Sequence, residues 1–185
     1  MIEANLKELI LLIKPCRFGD QRGFFSETYN RKKYLEMGID IEFVQDNHSL
    51  SRDVGTLRGL HFQAPPHAQG KLVRCGRGAI FDVAVDIRLG SPTYGDWEGY
   101  KLTSENGQQL YIPVGFAHGF VTLEPNSEVI YKCTDYYEPK TEGTIRWDSC
   151  KIDWPLSDNP TLSEKDSIAI AFSDFKSPFT YCKNL

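Results

Sequence analysis

Between Leu89 and Cys133 the chain places turn signals about every 8 to 12 residues, a rhythm that few folds can accommodate. Leu89-Gly-Ser-Pro-Thr-Tyr-Gly95, Glu105-Asn-Gly107 and Glu124-Pro-Asn126 bound runs that read as strands at 97–103, 108–112, 119–123 and 128–133. Short strands at this spacing predict an antiparallel sandwich or barrel. The clearest alternation lies just upstream. Phe81, Val83, Val85 and Ile87 take one face of a strand, and Asp82, Ala84 and Asp86 take the other. Earlier strands are expected at 6–14 (with a helical alternative), 43–48, 56–63 and 71–75, with an extended aromatic run at 23–29. Loops are expected at 18–23, 49–55 and 64–70, and a hairpin turn at Gly76-Arg-Gly78. Helix is scarce. Asn30 caps a short one, Arg31 to Met37, which Gly38 stops. Ser163 caps another, with Asp166 at its third position, expected to run to about Phe172. The 185 residues carry no linker or low-complexity tract, so one mainly β domain over 1–185 is expected.

The net charge of −4 argues against a surface that coats nucleic acid. Its distribution is uneven, however. Residues 51–90 hold Arg52, Arg58, Lys71, Arg74, Arg77 and Arg88 against Asp53, Asp82 and Asp86. A local positive site in an acidic protein points to a small anion. The cysteines, Cys16, Cys75, Cys133, Cys150 and Cys182, are odd in number, widely spread and form no C-x-x-C, as expected of reduced thiols in the cytoplasm. No apolar run approaches the roughly 20 residues of a membrane span. Residues 9–13 are too short and too closely preceded by acidic residues for a signal peptide.

The stretch Thr56-Leu-Arg-Gly-Leu-His-Phe-Gln63 sets a fixed cation, Arg58, near an imidazole, His61, in a mostly apolar strand. On a regular strand the two face opposite sides. Gly59 permits a bulge that brings them to one face. An anionic substrate and a proton in transit suit such a pair; a core histidine and a surface arginine are the plain alternative. His118 lies in Ile112-Pro-Val-Gly-Phe-Ala-His-Gly119, similar to the second motif of the cupin jelly rolls. Their first motif supplies a His-x-His pair, whereas Leu60-His-Phe-Gln63 has one histidine. A catalytic metal wants about three protein ligands, so no metal site is expected. Taken singly, Lys71 also reads as a solvated strand end, and Tyr131 as an ordinary sheet aromatic sharing a face with Val129. Tyr136 and Tyr137 either pack or stack on a planar base.

In combination these blocks resemble the dTDP-4-dehydrorhamnose 3,5-epimerases, cupin-like jelly-roll enzymes of nucleotide-sugar metabolism. The likeness runs from about Phe18 to Asp166 through Gly19-Asp-Gln-Arg-Gly-Phe-Phe, Phe43-Val-Gln-Asp-Asn-His, Leu57-Arg-Gly-Leu-His-Phe-Gln, Gly70-Lys-Leu-Val-Arg, Phe81-Asp-Val-Ala-Val-Asp, Ile112-Pro-x-Gly-Phe-Ala-His-Gly-Phe, Tyr131-Lys-x-Thr-x-Tyr-Tyr and Ser163-x-Lys-Asp. Several blocks in one order make a specific signal.

The resemblance implies an antiparallel double-stranded β-helix, or jelly roll, with short helices. It implies that His61 is the general base, that Asp166 orients it, that Tyr131 is the acid across the sugar ring and that Lys71 steadies the enolate oxygen. His118 is implied to line the site, Arg58 to hold phosphate and Tyr137 to stack on thymine. Arg22, Glu27, Gln45, Asp46, Asn47, Glu142 and Lys165 match nucleotide-sugar-binding positions. The implied substrate is a dTDP-4-keto-6-deoxy sugar, the implied assembly a homodimer, and no cofactor, nucleic acid or membrane is implied. The residue types suit the chemistry. Hydrogens at C3 and C5 of a 4-keto sugar are acidic, a cation near O4 stabilises the enolate, and inversion needs a second group on the opposite face. The rival readings are an epimerase of one carbon or a ketoisomerase on a related sugar, a non-catalytic sugar-nucleotide binder, and a metal-dependent cupin oxygenase.

Overall fold

A computed structural model describes residues 2–5 and 9–182. Its strands in chain order are β1 (Ile2–Asn5), β2 (Ile10–Ile13), β3 (Arg17–Asp20), β4 (Gly23–Ser26), β5 (Gln45–Ser51), β6 (Leu57–Gln63), β7 (Lys71–Arg77), β8 (Ala79–Asp86), β9 (Trp97–Thr103), β10 (Gln109–Ile112), β11 (Phe116–Thr122), β12 (Ser127–Cys133) and β13 (Glu142–Thr144). The helices are short: α1 (Arg31–Glu36), α2 (Glu164–Ser167) and a 3₁₀ turn at Phe172–Asp174. One sheet has the order β1-β2-β10-β7-β12-β5 and the other β13-β6-β11-β8-β9, while β3 and β4 form a separate hairpin. Pairing within the sheets is antiparallel. From β5 to β12 the chain repeatedly crosses from one sheet to the other, which is the jelly roll expected from the sequence.

The two sheets face each other across an apolar core. Val73, Leu110, Ile112 and Val129 come from the first, and Ile80, Ala84, Leu102, Phe116 and Phe120 from the second. Burying each large aliphatic side chain contributes about 1.5–3 kcal/mol, an upper range when unfolded-state compactness is counted. The alternation of β8 is present, but both of its faces are buried. Ile80 and Ala84 meet the inter-sheet core, and Val83 and Val85 pack under Ile145, Ile152 and Phe179. Asp82 and Asp86 are fully buried as well. Asp86 is satisfied by Arg88, Ser91 and Thr93, with Arg88 Nη2 at 2.6 Å. No described helix is long and apolar enough to cross a membrane.

Several local expectations change. Gly76–Gly78 is a crossover between sheets, because β7 is flanked on both edges by β10 and β12 and so cannot pair with β8. Gly78 takes φ +74° there, and Ser127 Oγ bonds the backbone of Ala79. Residues 49–51 extend β5 because its ladder with β12 runs through Ser51↔Ser127. The less exposed set of β5 is Gln45, Asn47, Ser49 and Ser51, which is polar, so hydropathy does not mark the strand. The 18–23 loop is the β3–β4 hairpin, and β11 begins at Phe116. α1 is capped by Asn30 as expected, with its side-chain oxygen 3.1 Å from Lys32 N. Ser163 accepts from Asp166 N at 3.1 Å, but α2 stops after Ser167. Beyond it Ile170 bridges Ile145 and accepts from Arg146 N at 2.8 Å, so sheet pairing replaces the longer helix. The expected strand at 6–14 is seen as β2, and its residues 6–8 lie outside the described residues.

Candidate active site

The site is built on a bulge in β6. His61 pairs with His118 and Arg58 with Phe120, so three steps along β6 match two along β11. Gly59 sits in the bulge at φ +130°, and a Cβ there would lie 2.5 Å from Gly119 Cα. Only glycine fits. The expected consequence follows: Arg58 and His61 line one cleft. Two adjoining cavities of about 450 and 270 Å³ make up that cleft and share His61, Lys71, Tyr131 and Glu142.

The loop-borne α2 carries Asp166 to the imidazole, with His61 Nε2 and Asp166 Oδ1 2.6 Å apart. Asp166 is 2% exposed. Burial pushes its carboxyl up, but the His61 hydrogen bond and charge, Ser163 and the Gly59 N–H together hold it below the usual range. Asp166 is therefore the carboxylate, Nε2–H donates to it, and Nδ1 keeps the lone pair that can take a proton. His118 forms a second pair, Nε2 to Asp82 Oδ1 at 2.8 Å, both buried. Burial pushes the His118 pKa down against the pull of Asp82. Lys71 and Tyr131 rise from β7 and β12, with Nζ 5.9 Å from the phenol ring centroid. Burial lowers the Lys71 pKa, opposed by the nearby Cys133, Asp82 and Glu142. Burial raises the Tyr131 pKa, so its phenol keeps its proton at neutral pH.

Polar contacts extend the cleft outward. Arg58 donates to Ser51 Oγ and Leu50 O, both at 3.2 Å, and so lies along β5. Lys165 Nζ pairs with Glu142 at 2.5 Å, and Tyr137 Oη donates to the same carboxylate at 2.9 Å. Burial raises the Glu142 pKa, but those two partners depress it overall. Gln45 accepts from Tyr137 N at 2.9 Å and donates to Asn47 Oδ1 at 3.2 Å.

Three sequence-derived positions stand apart from this cleft. Asp46 lies on the opposite face of β5 from Gln45 and Asn47 and pairs with Lys132 Nζ at 2.8 Å. The two-residue period of a strand forces this, and the expectation of an Asp46 side chain in the site is corrected. Arg22 pairs with Asp20 on the β3–β4 turn at 2.6 Å, and Glu27 pairs with Lys33 at 2.6 Å. Neither lines the cleft.

Other residues of the site escape sequence reasoning. Gln63 is buried, donates to Tyr136 O at 2.9 Å and to His67 O, and accepts from Glu138 N at 2.9 Å. It thereby ties β6 to the loop that carries Tyr137. An amide ending an apolar strand was its only signal. Ser49 lines the inner cavity, and the alternation Gln45, Asn47, Ser49 would have found it. Among the described residues no three His, Cys, Asp or Glu side chains converge as a metal would need.

A jelly roll whose inner face gathers a His–Asp pair, a half-buried lysine and a shielded phenol defines an enzyme of proton transfer at carbon, in the isomerase class. The chain belongs to the dTDP-4-dehydrorhamnose 3,5-epimerase family, whose model matches residues 3–174. It is 55% identical over 163 residues to the dTDP-4-dehydrorhamnose 3,5-epimerase of Salmonella typhimurium, covering 86% of this chain and 88% of that one. The crystal structure of dTDP-6-deoxy-D-glucose-3,5-epimerase from Legionella pneumophila in complex with dTDP-4-keto-L-rhamnose superposes with a TM-score of 0.94 at 45% identity, covering 98% of both chains. A 3'-monoepimerase from Streptomyces bikiniensis in complex with dTDP-quinovose gives a TM-score of 0.86 at 31% identity, covering 92% of this chain and 87% of that one.

Proposed function

We infer that this chain, as one jelly-roll domain over 1–185, inverts C3 and C5 of dTDP-4-dehydro-6-deoxy-D-glucose to give dTDP-4-dehydro-L-rhamnose, in the cytoplasm and in the service of dTDP-L-rhamnose synthesis. The observation that carries this reading is the convergence of the His61–Asp166 pair, Lys71 and Tyr131 on one cleft. Nδ1 of His61 takes the proton from C3 or C5, and Asp166 steadies the imidazolium that forms. The electron pair moves into the adjacent carbonyl, and Lys71 stabilises the charge that develops on O4. Tyr131 returns a proton from the other face. This sequence of steps uses only the chain's own residues.

Arg58 and Lys165 supply cations for the diphosphate, with Gln45, Asn47 and His118 as neutral contacts. Tyr137 stacks on thymine in this reading, which its exposed ring and its hydrogen bonds to Glu142 and Gln45 support. A homodimer accounts for the positions outside the cleft. The hairpin with Arg22 at its turn exposes Phe18, Phe24 and Phe25, and Glu27 follows directly after it. Burying that apolar patch against a second copy would bring Arg22 and Glu27 to the partner's cleft. The likeness to a 3'-monoepimerase keeps inversion at one carbon as the second reading.

Incubation with dTDP-4-dehydro-6-deoxy-D-glucose in heavy water separates these readings. Deuterium at both C3 and C5, placed by NMR, is expected. Label at one carbon selects the monoepimerase, and no label removes the enzymatic reading. Tyr131→Phe addresses the acid. It is expected to keep proton exchange at C5, because His61 still removes and returns the proton on its own face, but to lose net inversion. Product of normal stereochemistry from this variant takes Tyr131 out of that role.

A further inference from the structure

Ser49 lines the cleft and carries a hydroxyl that the fold leaves without a partner. Its Oγ is buried and makes no hydrogen bond to any described residue. The position is fixed by register. Ser49 pairs with Val129 on β12, two rungs from the Asn47–Tyr131 pair and two residues from Ser51, whose Oγ accepts from Arg58 Nε at 3.2 Å. Ser49 therefore lies on the cavity face of β5, between Asn47, which pairs with Tyr131, and Ser51, which meets Arg58. Other groups on that face are already engaged. Ser51 meets Arg58, Asn47 meets Gln45 and Cys133, and Gln45 meets Tyr137. A buried hydroxyl with no partner is disfavoured. Nothing in the packing calls for it, since alanine fits the same strand position without a polar atom to satisfy.

We propose that Ser49 is a substrate-binding residue whose hydroxyl donates to a diphosphate oxygen on the sugar side, beside Arg58. The assignment rests on the nucleotide-sugar reading of the site. An ionised phosphate oxygen accepts a short, charge-assisted hydrogen bond, stronger than one between neutral groups. Arg58 supplies the charge from one side and Ser49 a directional donor from the other. The oxygen is thereby held at a fixed distance from Tyr131, which sets the sugar between acid and base.

Ser49→Ala separates binding from structure. The variant is expected to weaken dTDP binding, read by calorimetry, about tenfold. Its thermal midpoint is expected to equal or exceed that of the wild type, because the change deletes an unpaired buried group. Unchanged dTDP affinity overturns the proposal, and so does a lowered midpoint, which would show that the hydroxyl supports the fold. Wild-type protein is measured alongside. If it fails to bind dTDP, the nucleotide-sugar reading and this assignment fall together. If it binds and the variant binds equally well, only Ser49 loses its role.

Discussion

His61→Ala is expected to lower turnover by about three to four orders of magnitude while dTDP still binds. The size follows from what one side chain supplies. Both acidic carbons flank the same carbonyl, and His61 is the imidazole in the cleft whose tautomer a buried carboxylate fixes for taking a proton from the substrate. His118 forms the same kind of pair, with its Nε2 on Asp82, but it is buried, and burial lowers its pKa, making it a weak base. Binding is expected to persist because the cations near the cleft mouth, Arg58 and Lys165, are untouched. Measuring deuterium uptake and dTDP affinity on the same preparation checks both halves. Exchange at C3 or C5 near the wild-type rate would assign the base elsewhere, and lost dTDP affinity would make His61 a structural residue.

His61→Ala also leaves Asp166 as an ionised carboxylate that is 2% exposed and has lost its main partner. Removing one member of a buried charged pair costs about 3–5 kcal/mol, so part of any loss of activity could be unfolding. His61→Asn answers this. Its amide keeps a donor for Asp166 without a base of useful strength. Equal loss of exchange in the two variants, with the asparagine form more stable, places the effect in chemistry.

How much of this was legible in the sequence depends on which side chains face the core. Alternation found β8 and β12 as strands, although the apolar face it marked in β8, Phe81, Val83 and Val85, is the one turned away from the inter-sheet core. The end of β5 was missed because its inner face is the site itself: Ser49 and Ser51 look like loop residues until β12 pairs with them. The same cause hid Ser49 while family motifs exposed its neighbours Gln45 and Asn47. Asp46 shows the opposite error. A motif names consecutive residues, but a strand turns every second side chain away, here onto Lys132. The Gly76–Gly78 crossover was unreadable because glycine marks a change of direction without saying whether the next strand pairs alongside or lies across the core. The β6 bulge was readable, since Gly59 between Arg58 and His61 had one structural use that put both on one face.

Lys71→Met is expected to lower kcat by about 10²–10³-fold, the range for deleting one donor to a developing oxyanion. The lysine stands on β7 level with Cys133 and lines the cleft half-buried, where a single charge counts for more than in water. Methionine keeps the length of the side chain and removes the cost of burying a charge, so an intact thermal midpoint is expected alongside the kinetic loss. The pH profile gives the sign. Lys71 acts as a cation, so activity persists below its pKa and disappears above it. Burial lowers that pKa and raises that of Tyr131, so loss of the Lys71 proton moves to lower pH while loss of the Tyr131 proton moves to higher pH. The alkaline limb of kcat/KM in the wild type is expected to come from Lys71 and to lie below that of an ordinary lysine. Arginine does not titrate in this range. Lys71→Arg, though slower because its planar fork fits O4 less well, is expected to hold its residual activity to higher pH. An alkaline limb at the wild-type position in the arginine variant would assign the titration to Tyr131 and leave Lys71 as packing.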